Sequence, residues 1–145
     1  MAPDPGSLNT VARDPVTEHE IELRVRYAEC DPMKVAHHSA FLVWLEIART
    51  ELLRRRGTPY RELEKRGIIF VVVELSIRYR KPAVYDDALR ICVWTMNDGI
   101  RSRTVTLKHG YKVYRDQVHL ATASTTLACV NREGRLQSIP LGMLG

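Results

Sequence analysis

The chain has 145 residues, 45% of them apolar, and a formal charge of +5 at pH 7. That length and apolar content suit one domain with a real core, and no apolar run is longer than the strand-sized Ile68 to Val73, far below the ~18 residues of a membrane-spanning helix. Three cysteines (Cys30, Cys92 and Cys129) are odd in number, far apart and at no standard zinc spacing, which speaks against a disulfide framework or metal site and for a reducing, cytoplasmic compartment.

Residues 1–17 carry Pro, Asp and Gly but no apolar signal core, and they read as a flexible leader. Residues 18–140 form a single domain, with 141–145 a short tail. From Glu18 to Ala28 the residues alternate, with Ile21, Leu23, Val25 and Tyr27 on one face of a half-buried strand. Asp31-Pro32 stops it, because proline lacks a donor and restricts the residue before it. A helix follows from about Ala40 to Arg56, with Ser39 as its N-cap, Gly57 just past its end and Pro59 beyond. Its apolar residues cover most of its circumference, Val43, Trp44 and Ile47 widening the usual stripe, so other structure should enclose it. Glu46 falls within that stretch, and Arg49, Glu51 and Arg54 to Arg56 read as solvated.

A helical turn at Tyr60 to Arg66 leads to four strands: Ile68 to Tyr79, Asp87 to Met96, Arg103 to Tyr114 and Val118 to Val130. Tight turns join them, one at Asn97-Asp98-Gly99. The order β, α, β, β, β, β predicts an α+β fold: a five-stranded, largely antiparallel sheet around one long helix. Its first long strand is apolar on both faces, and pairing with a second copy would relieve that. A homodimer or homotetramer is expected. The basic clusters at Arg54–Arg56, Arg78–Lys81 and Arg101–Arg103 lack the aromatic interleaving of a nucleic-acid surface, and the first already complements a helix dipole.

Tyr27, Asp31 and His38 span a strand end, a loop and a helix start. Titratable groups there face unpaired amides and the positive end of a helix dipole, a place suited to polarising a carbonyl. From composition alone a plain turn is the favoured reading, in which Asp31-Pro32 opens a bend, Tyr27 continues the buried face and His38 merely precedes the cap.

The stretch VRYAECDPMKVAHHSAFLVWLEIAR resembles the opening of the hot-dog-fold acyl-CoA thioesterases of the 4-hydroxybenzoyl-CoA thioesterase type. In that family a strand ends in an aromatic, followed by D-x-x-G-x-V, a Tyr or His, and a helix carrying W-x-E-x-A-R. Asp31, Val35, His38, Phe41, Trp44, Glu46, Ala48 and Arg49 fall at matching positions. VVVELSIRYRKPAVYDDALRI is similar to the family's next strand and its Pro-Ala turn. The likeness runs from about Glu20 to Pro140. Lys34 stands where the family usually has glycine, so a left-handed φ there would cost on the order of 1 kcal/mol.

The resemblance implies hydrolysis of a coenzyme A thioester with an aromatic or short acyl group. Asp31 would act as nucleophile or as general base toward water, and backbone amides around His38 to Ala40 would hold the oxyanion. His38 would position water or the acyl group, and Tyr27 would hydrogen-bond the carboxylate or the substrate. Arg101, Ser102, Arg103 and, more weakly, Lys81 would meet the phosphates of coenzyme A, which is part of the substrate; no separate cofactor is implied. Glu46 is the rival carboxylate, though pairing with Arg49 accounts for it; His109 reads as a packed strand residue, and Cys30 lacks a base. A non-catalytic binder of acyl-CoA or acyl-carrier protein, and a hot-dog dehydratase, are the alternative functions.

Overall fold

The computed structural model describes residues 17–96 and 103–140. Most of the expected leader, the turn at Asn97–Gly99, Arg101, Ser102 and the tail lie outside the described residues. The elements are β1 (Glu18–Arg24), a 3-10 turn (Tyr27–Glu29), α1 (Ala40–Arg55), α2 (Tyr60–Lys65), β2 (Ile69–Tyr79), β3 (Ala88–Thr95), β4 (Thr106–Arg115) and β5 (Val118–Val130). The strands form one sheet in the order β1-β3-β4-β5-β2, every pair antiparallel. Thr17, assigned to the leader from sequence, already joins the sheet, since its carbonyl accepts the Thr95 amide at 2.8 Å.

One connection departs from the expected run of tight turns. β2 does not turn back onto β3; β1 and β4 occupy both sides of β3, and β2 pairs with β5 at the far edge. Residues 80–87 make the crossing and are held down along the way. Ala83 is fully buried, its carbonyl accepts the Ala36 amide at 2.8 Å, and Val84 bridges to Val35. Asp87 ends the crossing, accepting the Val84 amide at 2.9 Å and pairing with Arg115 at 2.7 Å.

Helix α1 packs over β1 and β3 and buries Phe41, Trp44, Leu45, Ala48 and Leu52. It ends at Gly57, whose φ of +82° is the left-handed conformation glycine adopts without strain. At its start the expected cap is absent. Ser39 is itself in the helical region and makes no side-chain cap, because its hydroxyl is 2.7 Å from His37 Nδ1. Enclosure of the helix holds for one side only: Leu42, Val43 and Ile47 are 38%, 48% and 40% exposed in the single chain. The edge strand β2 is bare as well, with Val71, Val72, Val73 and Leu75 exposed and a bulge between Val72 and Glu74.

Two apolar clusters build the interior. The larger lies beneath α1 and includes Trp44, Leu45, Leu89, Ile91 and Tyr111. The smaller joins Leu53, Leu63, Leu107, Leu127 and Ile139 at the other end of the helix.

Candidate functional site

Past β1 the chain stops being a strand earlier than its alternation suggests. Tyr27 to Glu29 form a 3-10 turn in which the Arg26 amide donates to Glu29 Oε1 at 2.8 Å. Tyr27 is therefore not on the buried face; it is 68% exposed and meets Tyr85 edge-on, with ring centroids 5.4 Å apart. Glu29 faces inward and accepts the Trp44 indole N–H at 2.7 Å, while its carbonyl takes the His37 amide at 2.8 Å. Partial burial opposes its charge, but the Arg26 amide and guanidinium and the Trp44 N–H outweigh it, so the carboxyl titrates below its ordinary range. Glu29 thus ties the loop on one side and the helix on the other to a single carboxylate.

Cys30 and Ala36 bridge as an antiparallel pair and close the loop that carries Asp31. Oδ1 of Asp31 accepts the Met33 amide at 2.8 Å and the Val35 amide at 3.2 Å, and its carbonyl accepts the Lys34 amide at 2.8 Å. Oδ2 has no partner among the described residues. The Asp31 side chain is exposed in the single chain, and no bond joins it to Tyr27, so of the two partners expected for the phenol the carboxylate is not engaged here. Lys34 adopts φ +64°, the left-handed conformation foreseen for the family's glycine position. A lysine there stores strain on the order of 1 kcal/mol at the tip of the loop.

The helix start lies beside that loop. The Ser39 amide donates to His37 Nδ1 at 3.3 Å and the Ala40 amide to the His37 carbonyl at 2.9 Å, so of the three amides expected to serve an oxyanion only that of His38 is without an acceptor among the described residues. His38 is exposed, its ring lies against that of His37 at a tilt of 36° with centroids 4.1 Å apart, and its carbonyl accepts the Tyr79 hydroxyl at 2.8 Å. His38, Phe41, Tyr79, Lys81 and Pro82 line a cleft of about 280 Å³ here. The structure therefore brings Asp31, His38 and Lys81 to one end of the molecule. Arg103 is exposed and precedes β4, whose start pairs near Ala128, whereas Lys81 follows Tyr79, which pairs with Ala121. Seven residues of β5 separate those two points, about 23 Å at strand rise. One chain cannot bring Lys81 and Arg103 to the same phosphate.

Around Cys30, partial desolvation and the Asp31 and Glu29 charges raise the thiol pKa, the opposite of what an activated thiol needs. Among the described residues no group of three or more His, Cys, Asp or Glu side chains is placed to hold a metal ion.

A second cavity, about 280 Å³, opens between α1 and the β2, β4 and β5 strands. Arg49, solvated by its sequence pattern, lines it with its side chain only 14% exposed; its pairing with Glu46 is long, 3.8 Å, and Glu46 is 69% exposed at the rim. Arg56, for which the pattern also implies solvent, donates to Thr95 Oγ1 at 2.8 Å, and burial lowers its pKa. His109 points into the cavity from β4. It is 1% exposed, and neither ring nitrogen has a hydrogen-bond partner among the described residues. Sequence offers one hint, a histidine at a position alternating with apolar residues on a strand, and packing is the plain reading of that pattern.

A thioesterase-like superfamily model matches residues 25–144. The chain belongs to that superfamily. It is 35% identical over 113 residues to a Bacillus subtilis (strain 168) protein named "Putative acyl-CoA thioesterase YneP", covering 77% of this chain and 79% of the relative. It is 33% identical over 110 residues to the acyl-CoA thioesterase YbgC of Haemophilus influenzae, covering 75% and 78%. Among solved structures, the DHNA-CoA thioesterase of Staphylococcus aureus superposes with a TM-score of 0.75 at 30% identity, covering 86% of this chain and 80% of that one. The fold is the hot-dog fold, a helix packed on a five-stranded antiparallel sheet.

Proposed function

We propose that this member of the thioesterase-like superfamily hydrolyses an acyl-CoA thioester, with Asp31 as the reacting carboxylate and two copies of the chain completing each site. The observation that carries the reading is the presentation of Asp31. One carboxylate oxygen is fixed by two amides and the other is unpartnered among the described residues, on a loop tied through Glu29 to the start of α1. Oδ2 is then available either to attack the thioester carbonyl, forming an acyl-enzyme anhydride as the thiolate leaves, or to take a proton from an attacking water. Of the amides at the helix start, that of His38 is the one left to serve the developing oxyanion.

The exposed Val71, Val72, Val73 and Leu75 on the edge strand favour pairing of two copies along β2, which would supply the rest. A two-fold axis at Leu75 would set Glu74 against Ser76 rather than against its own copy, and Tyr79 against Val71. That register carries the end of one copy bearing His38 and Lys81 toward the other copy's second cavity and the start of its β4, where Arg103 stands. Phosphates of coenzyme A would thereby meet basic residues of both copies, Lys81 from one and Arg103 from the other, with Arg101 and Ser102 the further candidates adjoining Arg103 in the sequence. The acyl group, aromatic or short-chain, would enter from the Asp31 side. A cytoplasmic location fits the three unpaired cysteines.

Thiol release from a panel of acyl-CoA esters tests this. Asp31→Asn is expected to lower kcat on the order of 10²–10⁴-fold, with binding of a non-hydrolysable acyl-CoA analogue retained. A variant within threefold of the wild type would remove Asp31 from the chemistry. Binding without turnover by the wild type would make the protein a binder of acyl-CoA.

A further inference from the structure

We infer that His109 is a specificity-determining residue, and that the cavity it faces selects acyl groups that carry a hydroxyl over plain hydrocarbon ones. The inference rests on the thioesterase reading above and names the part of the substrate the second cavity would take.

The cavity is apolar over most of its wall, with Leu53, Phe70, Val72, Leu107 and Leu127. A purely hydrocarbon acyl group would fill it without needing any polar atom. Three polar side chains of this region already have partners. The Tyr60 hydroxyl is shared with the Phe70 backbone, at 3.0 Å from its amide and 3.4 Å from its carbonyl. Tyr111 and Thr125 satisfy each other at 2.7 Å. His109 is the exception, since both ring nitrogens are buried and unpartnered. Leaving a buried donor or acceptor of this kind unpaired is costly, and a ligand group would offset that cost on binding.

The protonation state of the ring narrows the chemistry. Burial, with the Arg49 and Arg56 guanidinium groups nearby, pushes the His109 pKa down to about 3, so the imidazole is neutral at working pH. A neutral imidazole offers one N–H and one lone pair. A hydroxyl can serve either nitrogen, because it both donates and accepts. A carboxylate can accept from the N–H but has nothing to donate to the lone pair, and a methyl group can do neither. Arg49 at the wall adds a donor for the hydroxyl oxygen and discourages ligands that bring a cation.

The test compares matched ester pairs, benzoyl-CoA with its 2-, 3- and 4-hydroxy isomers and hexanoyl-CoA with 6-hydroxyhexanoyl-CoA. Phenacyl-CoA and 4-hydroxyphenacyl-CoA serve as non-hydrolysable binding probes. The wild type is expected to favour the hydroxylated member of at least one pair by tenfold or more in kcat/KM, and to show the same order in probe binding by calorimetry. His109→Leu should bring each ratio to within about threefold of one, whatever its absolute rate on the plain ester. His109→Asn, which keeps a donor and an acceptor, should retain part of the preference. Thermal melts of all three proteins establish that they are folded. No preference in the wild type, or a preference that survives in His109→Leu, overturns the inference while leaving the thioesterase reading intact. Probe discrimination that depends on His109, with no ester hydrolysed, keeps the inference and removes the thioesterase reading.

Discussion

A histidine whose charged form is excluded by burial makes stability depend on pH. His109 titrates at about 3 in the folded chain, against an ordinary value of 6.5. Between those values the unfolded chain binds a proton that the folded chain does not, so this group's contribution is fully present above pH 6.5 and is lost as pH falls toward 3. The loss should reach a few kcal/mol, since each pH unit between the two values is worth on the order of 1.4 kcal/mol. Melts of the wild type should therefore drop more steeply between pH 6.5 and about 4 than those of His109→Leu; parallel curves would show that His109 is not held neutral. Residues were unevenly legible. Asp31 was marked by its place in a motif, and the left-handed Lys34 by the glycine it replaces. The burial of Arg49 and the unpaired ring of His109 were not, because both depend on strands β2, β4 and β5 meeting α1, which local spacing does not encode.

Among the elements, β4 and the start of α1 are the most constrained. Gly110 on β4 lies under the Trp94 indole, and a Cβ there would overlap the ring atoms. Gly110→Ala must push that ring outward and is expected to cost about 1–3 kcal/mol in denaturant unfolding, with a red-shifted tryptophan emission. At the helix start, Trp44→Phe removes the indole N–H from Glu29 and leaves the carboxylate one donor short. A loss of about 1–3 kcal/mol is expected, with a fall in kcat larger than any change in KM, since the contact ties the Asp31 loop to the helix. An unchanged kcat would separate that contact from the site. Existence and type of the long elements followed from periodicity and from Gly and Pro punctuation. The missing Ser39 cap did not, because His37 competes for the same hydroxyl.

For the whole molecule, the bare β2 edge and the exposed Leu42, Val43 and Ile47 on α1 present apolar surface of the kind subunits cover. The protein should run at twice its 16.6 kDa subunit mass, or a multiple of that, in light scattering coupled to gel filtration. Leu75→Lys would place two like charges at the proposed axis; it should yield monomers and reduce hydrolysis at least tenfold if, as proposed, each site draws on both copies. A fully active monomer would show that one chain suffices. The sheet order was the part of the architecture hidden from sequence, since β2 is as apolar as an interior strand and only its pairing with β5 reveals it as an edge.

The two borders of the sheet are unlike. On β1 the exposed positions are Glu18, Glu20, Glu22 and Arg24, a row of charge that discourages a further strand from adding there, whereas β2 offers valine and leucine. Strand addition is thus favoured at one border and opposed at the other, so pairing along β2 would not propagate from copy to copy into a ribbon.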